Sequence, residues 1–186
     1  MTGPRRRNAR PDWSRRRVLA AAVVVATLVA GCTGVPDGVS PVRFDAERYL
    51  GTWYEVARLD HRFQRGDVAA TATYAINPDG TIAVTNRGWR PDGSERSVTG
   101  RARFLGPRDL ASLAVSFRWP FEGGYHVIRL DPEYRIALVS GPTRDYLWLL
   151  SRSPTLPDPV VEEWLAFAAA RGYPVERIIR SQPPPT

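Results

Sequence analysis

Residues 44–66 read FDAERYLGTWYEVARLDHRFQRG, and the fold of the chain follows from this stretch. From position 51 to 59, aromatic and β-branched side chains alternate with a period of two, which is typical of a β-strand. One face of the predicted strand carries Trp53, Glu55, Ala57 and Leu59. Gly51 begins the strand where the backbone must pass close to another group. The residues just before it predict a short helical turn that Asp45 caps.

This stretch resembles the first signature of the lipocalin family, and its second half is similar to bacterial lipoprotein lipocalins of the outer-membrane and apolipoprotein D-like branch. A second similar segment, VSGPTRDYLWLLSR at 139–152, follows in the order that the family requires. The resemblance covers residues 43–183 and implies an all-β fold: an eight-stranded antiparallel up-and-down β-barrel with a C-terminal α-helix on its outside. It also implies a structural signature in which Arg152 packs across Trp53 at a closed barrel end, next to Gly51.

Alternating segments recur after residue 66, each ended by turn residues such as NPDG at 77–80 and RPDG at 90–93. Consecutive short hairpins predict an antiparallel meander, and eight such strands can close into a barrel that holds one small ligand. A β-sandwich is the alternative; the meander and the resemblance favour the barrel. The predicted strands after the first are 68–76, 81–86, 96–104, 113–117, 125–131, 134–140 and 145–152.

The C-terminal part predicts a helix from about residue 160 to 170, with Asp158 as its cap and Pro159 in its first turn. Apolar residues at helical spacing are expected to pack against the barrel wall. They are Val161, Trp164, Leu165 and Ala168. A last short strand is predicted within 174–181, and residues 184–186 form a tail.

Most of the net charge of +7 comes from the N-terminal segment and not from the predicted domain. Residues 1–31 hold seven Arg and one Asp, a net of +6, whereas residues 32–186 hold 19 Arg and 18 acidic residues, a net of +1. All 26 basic residues are Arg, which we interpret as a coding bias. A nearly neutral domain does not predict nucleic-acid binding.

Residues 1–31 are interpreted as a signal peptide. Two Arg triplets precede an apolar run from 18 to 30, which is too short for an ordinary spanning helix but suits a signal-peptide core. The run ends in LVAGC at 28–32, which resembles a bacterial lipobox and implies that Cys32 is acylated. SRRRVL at 14–19 resembles a twin-arginine export signal, and a basic n-region for Sec export fits equally well.

We therefore expect an exported lipoprotein anchored to a membrane of the cell envelope, on its periplasmic side or at the cell surface. Acyl chains on Cys32 contribute about 0.8 kcal/mol per buried methylene, and more than one chain gives stable anchoring. Because Cys32 is the single cysteine, an internal disulfide is excluded, and an idle buried cysteine is the alternative. Residues 32–42 are rich in Gly, Pro and Ser and are interpreted as a linker to the domain.

The chain shows no pattern of catalytic residues, and we expect neither an enzyme nor a cofactor nor a metal site. The two histidines, His61 and His126, have no metal-ligand spacing. One of them could bind haem, but a structural role is the simpler interpretation. A GxSxG motif and a phosphate-binding glycine loop are both absent from the sequence.

Small residues on the predicted inward faces indicate a cavity. A barrel lined by Ala and Gly leaves space for a ligand that larger apolar groups would hold; the alternative is a packed barrel whose small residues relieve a taper. Glu55 shares the inward face of Trp53. It would contact either the polar head group of a ligand or a hydrogen-bonding group of the protein itself at the barrel floor. The predicted ligand-binding residues are Ala57, Ala70, Ala72, Tyr74, Ile82, Val84, Val98, Ala102, Phe104, Val115, Phe117, Tyr125, Val127 and Trp148.

These features predict a membrane-anchored lipocalin that binds, stores or transports a hydrophobic or amphipathic small molecule, such as a fatty acid or lysophospholipid, in the cell envelope. Its expected partners are this lipid and, through acylated Cys32, the membrane; we expect a monomer or a weak homodimer. An envelope enzyme acting on a lipid and a scaffold lipoprotein with a filled barrel are the alternatives. Loop aromatics could receive a lipid tail or touch the membrane: Phe63, Trp89, Trp119 and Phe121.

Overall fold

The stretch that predicts the fold forms a short helix, α1 (Ala46–Tyr49), and the first strand, β1 (Gly51–Leu59), in a computed structural model that describes residues 33–185. The Asp45 side chain caps α1 as predicted, because it accepts hydrogen bonds from the first free N–H groups of the helix. The predicted signal peptide and the predicted anchor Cys32 lie outside the described residues. Within the described part, no helix has the length and apolar character needed to cross a membrane.

Eight strands close into an antiparallel barrel, which confirms the predicted fold class. Each strand pairs with its neighbour in the chain, and β1 pairs with both β2 and β8, so that the sheet closes on itself. An extra strand, β9 (Ile178–Arg180), pairs with the end of β1. The remaining strands are β2 (Ala69–Ile76), β3 (Ile82–Trp89), β4 (Glu95–Phe104), β5 (Ser112–Arg118), β6 (Phe121–Leu130), β7 (Ile136–Ser140) and β8 (Leu147–Ser151).

The antiparallel order gives the barrel two different ends. Helix α1 and the first residues of β1 lie at one end, which we call the closed end. The connections that follow β1, β3, β5 and β7 therefore meet at the other end, the open end, since successive strands reverse direction. These connections are 60–68, 90–94, 119–120 and 141–146. The third is shorter than the predicted aromatic loop, because β6 already begins at Phe121.

Strand β1 contains a β-bulge that its alternating sequence does not reveal. Glu55 pairs with Leu150 but Ala57 pairs with Leu149, so one extra residue is inserted between them. Beyond the bulge the two faces of the strand exchange, and Ala57 and Leu59 turn to the outside of the barrel. The prediction that these residues share the inward face of Trp53 is therefore wrong.

Helix α2 (Asp158–Ala169) packs on the outer wall. Val161, Trp164 and Ala168 are buried there, as the helical spacing predicts. The prediction that Asp158 caps the helix is wrong: α2 begins at Asp158 itself, and the carboxylate accepts a hydrogen bond of 2.7 Å from Arg180 instead.

The described part of the predicted linker, residues 33–42, lies against the barrel. Val39 is buried in the cluster between the wall and α2. The Val42 backbone donates to the Val127 carbonyl at 2.8 Å and accepts from Ala111 at 2.9 Å. These bonds fix the end of the linker at Val42, which packs on the interior cluster, whereas Val39 packs on the outer face.

Candidate functional site

The closed end of the barrel is sealed by Trp53 and Arg152. Trp53 is fully buried, and its indole N–H donates to the Tyr49 carbonyl at 2.9 Å. The Arg152 guanidinium carbon lies 3.9 Å from the centre of the Trp53 ring, within range of a cation–π contact. The same guanidinium donates to the carbonyls of Tyr49, Leu50 and Thr52 at 3.1, 2.7 and 2.8 Å.

Gly51 makes this close approach possible. Its φ of +89° lies in the left-handed region, and a Cβ at this position would stand 3.3 Å from Arg152 Nη1. A side chain would therefore be strained and would crowd the guanidinium that covers the end of the barrel.

Three tyrosine hydroxyls meet in the interior above this floor. Tyr125 lies 2.8 Å from the Tyr49 hydroxyl and 2.9 Å from the Tyr74 hydroxyl. Burial raises the pKa of Tyr74 to about 12 and raises the pKa values of Tyr49 and Tyr125 well above 10. The group is therefore neutral at physiological pH and places a small polar cluster within an apolar wall.

Open space remains in the interior between this cluster and the open end. Gly123 pairs directly with Val115, whose side chain packs on the interior cluster, so Gly123 also faces inward. A Cβ built on Gly123 meets no atom within 4 Å. The side chains around Gly123 therefore leave part of the barrel interior unfilled.

A polar network lies on the inner side of the open end. Glu55 is buried and accepts hydrogen bonds from Arg58 at 2.9 Å, Gln64 at 2.7 Å and Ser181 at 2.6 Å. Gln64 in turn accepts a bond of 2.8 Å from the Trp148 indole. Glu55 thus meets protein partners, which was one of the two roles expected for it.

The loop after β1 is held across the open end by two Arg side chains. Arg58 donates to the Asp67 carbonyl at 2.9 Å, and Arg96 contacts the Asp67 carboxylate at 2.5 Å. A Cβ on Gly88 would stand 2.4 Å from this carboxylate, so a glycine is required beneath it. The buried Asp67 charge is therefore paired, and the loop is fixed to β3 and β4.

Three polar side chains hold buried atoms that have no hydrogen-bond partner among the described residues. They are Arg58 through Nε, His61 through both ring nitrogens and Asn86 through Oδ1. Arg58 pairs with Trp148 and Asn86 pairs with Ala72, both of which pack on the interior cluster. Arg58 and Asn86 consequently offer an unused donor and an unused acceptor on the inner wall.

His61 lies among aromatic rings at the open end. Its ring centre is 5.0 Å from that of Trp148, 5.6 Å from Tyr146 and 5.9 Å from Phe63. Burial, helped by the charge of Arg58, lowers the pKa of His61 to about 4; Gln64 offsets part of this shift without reaching hydrogen-bond geometry. His61 is therefore neutral at pH 7.

Comparison with known proteins agrees with this geometry. The family model described as "Lipocalin-like domain" matches residues 44–183. The chain belongs to the lipocalin family. It is 52% identical over 170 residues to "Outer membrane lipoprotein Blc" of Escherichia coli K12, with 89% of this chain and 96% of that protein covered.

More distant proteins share the same architecture. This lipocalin is 30% identical over 142 residues to bovine apolipoprotein D, with 73% of this chain and 75% of that protein covered. Among solved structures, insecticyanin from Manduca sexta is similar with a TM-score of 0.64 and 18% identity, over 80% of this chain and 86% of that one. Lipocalins generally bind and transport hydrophobic small molecules, and an interior with open space suits this activity.

The structure brings most of the predicted ligand-binding residues together on the inner wall of the lipocalin barrel. Val98 and Phe117 have the inward parity but are partly exposed near the open end. Ala70 is buried at the open-end half of β2, beside Gly88. The others in the interior cluster are Ala72, Tyr74, Ile82, Val84, Ala102, Phe104, Val115, Tyr125, Val127 and Trp148.

Ala57 is the predicted ligand-binding residue that the structure excludes from the inner wall. It is fully buried in the outer cluster with Val161 and Trp164 of α2, because the bulge in β1 reverses its direction. Its small side chain allows α2 to pack closely on the barrel and does not enlarge the cavity.

Sequence reasoning missed the functional features that depend on the bulge and on the loop. Arg58 reaches the interior only because the register slips, and Asn86 reads in the sequence as an ordinary polar residue in a strand. His61 stands within the family signature itself, but its burial among three aromatic rings depends on residues 63, 146 and 148 coming together in the fold. A donor or acceptor without a hydrogen-bond partner can be recognised only when the residues around it in the fold are known.

Proposed function

We propose that this lipocalin is an acyl-anchored protein of the cell envelope that binds one fatty acid or lysophospholipid-like molecule inside its barrel. The observation that carries the proposal is the inward-facing Gly123, which borders open space within an otherwise apolar wall. Unfilled space forfeits dispersion contacts, and an acyl chain would restore them. The relative from Escherichia coli is named an outer membrane lipoprotein, which supports the placement in the envelope and the role of Cys32 as the anchor.

The apolar chain enters the open space beside Gly123 and ends against the tyrosine cluster that lies on Trp53. Each methylene that leaves water contributes about 0.8 kcal/mol, from about 25 cal/mol per Å2 of apolar surface. The sealed floor sets the depth that a chain can reach, so affinity rises with chain length and then levels off.

The polar head group stays at the open end, where the polar network lies. The free Nε of Arg58 can donate to a carboxylate or phosphate oxygen, and the free Oδ1 of Asn86 can accept from a hydroxyl or ammonium group. Arg58 is already paired with Glu55, so the network is close to electrically neutral and binds the head group by hydrogen bonds more than by net charge.

We infer that the protein is a carrier and not an enzyme. Glu55, the inward carboxylate, has its oxygens occupied by Arg58, Gln64 and Ser181. His61 has free nitrogens, but within the described residues no hydroxyl or thiol stands in hydrogen-bond contact with it. A nucleophile and base within reach of each other, which catalysis of lipid hydrolysis needs, therefore do not meet at this site.

A chain-length series tests the proposal. The purified, delipidated protein is titrated with saturated fatty acids and lysophospholipids of increasing length, and binding is followed by calorimetry. We expect one site per barrel, with affinity that increases and then reaches a plateau. Gly123→Phe should abolish binding, whereas Thr99→Phe on the outer face should not. An affinity independent of chain length, or unchanged in Gly123→Phe, contradicts the proposal.

A further inference from the structure

The beginning of the described chain is fastened to one particular part of the barrel wall. His126 on β6 contacts the Gly34 carbonyl through Nε2 at 2.7 Å and Ser112 through Nδ1 at 3.0 Å. Arg144 donates to the Asp37 carbonyl at 2.6 Å. A buried histidine that Ser112 holds in place thus positions the segment that follows Cys32.

This attachment brings the chain toward the open end. Arg144 belongs to the loop between β7 and β8, which is an open-end connection. A Cβ on Gly124 would stand 3.1 Å from the Thr33 carbonyl oxygen, so Thr33 lies over β6 at Gly124. Gly124 is three residues from Phe121, or roughly 10 Å along a strand. Cys32 immediately precedes Thr33 in the sequence.

Aromatic side chains are exposed at this same end. Trp119 is 88% exposed, Phe121 is 71% exposed and Phe63 is 58% exposed. All three lie in or beside open-end connections, and the first two form the tip of the β5–β6 hairpin. Exposed aromatics at one end of the barrel indicate a contact surface, and Trp is enriched where a bilayer meets water.

We propose that this aromatic rim, defined as Phe63, Trp119 and Phe121, docks into the leaflet that holds the acyl chains of Cys32, so that the open end of the barrel faces the membrane. The proposal rests on the acyl anchor of the proposed function. A lipid then passes between leaflet and barrel without crossing bulk water. The described chain begins at Thr33 over β6, the strand whose first residue is Phe121, and a short tether there would keep the rim at a high effective concentration at the surface.

Depth-dependent fluorescence quenching tests the orientation. The acylated mature protein is reconstituted in vesicles of phosphatidylethanolamine and phosphatidylglycerol in equal parts, with bromine near the top of the acyl chains. Wild-type emission should be quenched, and the quenched component should disappear in Trp119→Phe. The matched control, Trp119→Phe combined with Leu105→Trp, moves an exposed indole to the closed end and should show no quenching. A reporter at Leu105 that is quenched as strongly as Trp119 overturns the proposal.

The transfer of lipid supplies the second measurement. Replacing both hairpin-tip aromatics, Trp119→Ser and Phe121→Ser, should slow the uptake of a fluorescent fatty acid from these vesicles roughly tenfold, since less aromatic surface enters the interface. Affinity measured in detergent should stay unchanged, because neither residue lies in the interior cluster. An unchanged uptake rate, or a dimer that shields Trp119 from the lipid, contradicts membrane docking.

The two proposals can fail separately. If the wild-type protein binds no fatty acid in detergent, the proposed function fails, while quenching of Trp119 by brominated lipid still reports the orientation. If binding in detergent is normal but Trp119 is not quenched, the barrel carries lipid with its open end away from the leaflet, and the docking proposal is wrong.

Discussion

Arg152 makes two kinds of contact at the closed end. Its guanidinium stacks on Trp53, and it donates hydrogen bonds to carbonyls at the end of α1 and the beginning of β1. Removing it exposes these carbonyls at a sealed barrel end. We expect Arg152→Ala to lower the free energy of unfolding by about 3 kcal/mol, since hydrogen bonds to a charged group contribute about 1.5–3 kcal/mol each and part of this is recovered by water. Urea denaturation measures the change. Arg152→Lys, which keeps the charge but not the planar fork, should restore only part of the loss.

His61 makes stability depend on pH. Its pKa is about 4 in the folded state, below its ordinary value of 6.5, so the unfolded chain binds the proton more readily. The free energy of unfolding should therefore rise as pH increases from 4 to 6.5 and level off above, by up to about 3 kcal/mol over the window. Denaturation midpoints measured across this range should vary less in His61→Gln. An equally steep dependence in this variant would show that other groups cause it.

At the scale of elements, Ala57 and Ala72 form a matched pair on opposite sides of the wall. Ala57 packs toward α2 and Ala72 packs on the interior cluster. Ala57→Leu should lower stability by about 1–3 kcal/mol through overpacking and leave lipid affinity unchanged. Ala72→Leu should weaken lipid binding about tenfold by occupying the space of about two methylenes. Calorimetric titration of both variants checks this. Weaker lipid binding in Ala57→Leu, with unchanged binding in Ala72→Leu, would contradict the bulge in β1.

The elements themselves could be predicted from the sequence because their signals are local. Alternation gives the strands, and the spacing of Val161, Trp164 and Ala168 gives the buried face of α2. The bulge in β1 could not be predicted, since one inserted residue changes the pairing with β8 without altering the pattern of apolar residues. The start of α2 could not be predicted either, because Asp158 suits both a cap and a first-turn position; in the structure it is the first residue of the helix and pairs with Arg180.

At the scale of the whole molecule, closure of the barrel could be predicted because eight strands joined by consecutive hairpins leave two edges that pair with each other. The polar network at the open end could not, because it joins Glu55 and Gln64 to Ser181, which lies 126 residues beyond Glu55. The open space beside Gly123 likewise depends on the register of β5 and β6.

The central claim is that a lipid chain occupies the interior of the barrel. A crystal of the protein with a fatty acid brominated at its terminal carbon tests it directly, since the bromine can be located by anomalous diffraction. The predicted result is one bromine site within the barrel, between the cluster of Tyr49, Tyr74 and Tyr125 and the open end. A bromine on the outer face, or an interior filled by the protein's own side chains with no bromine inside, would contradict the account.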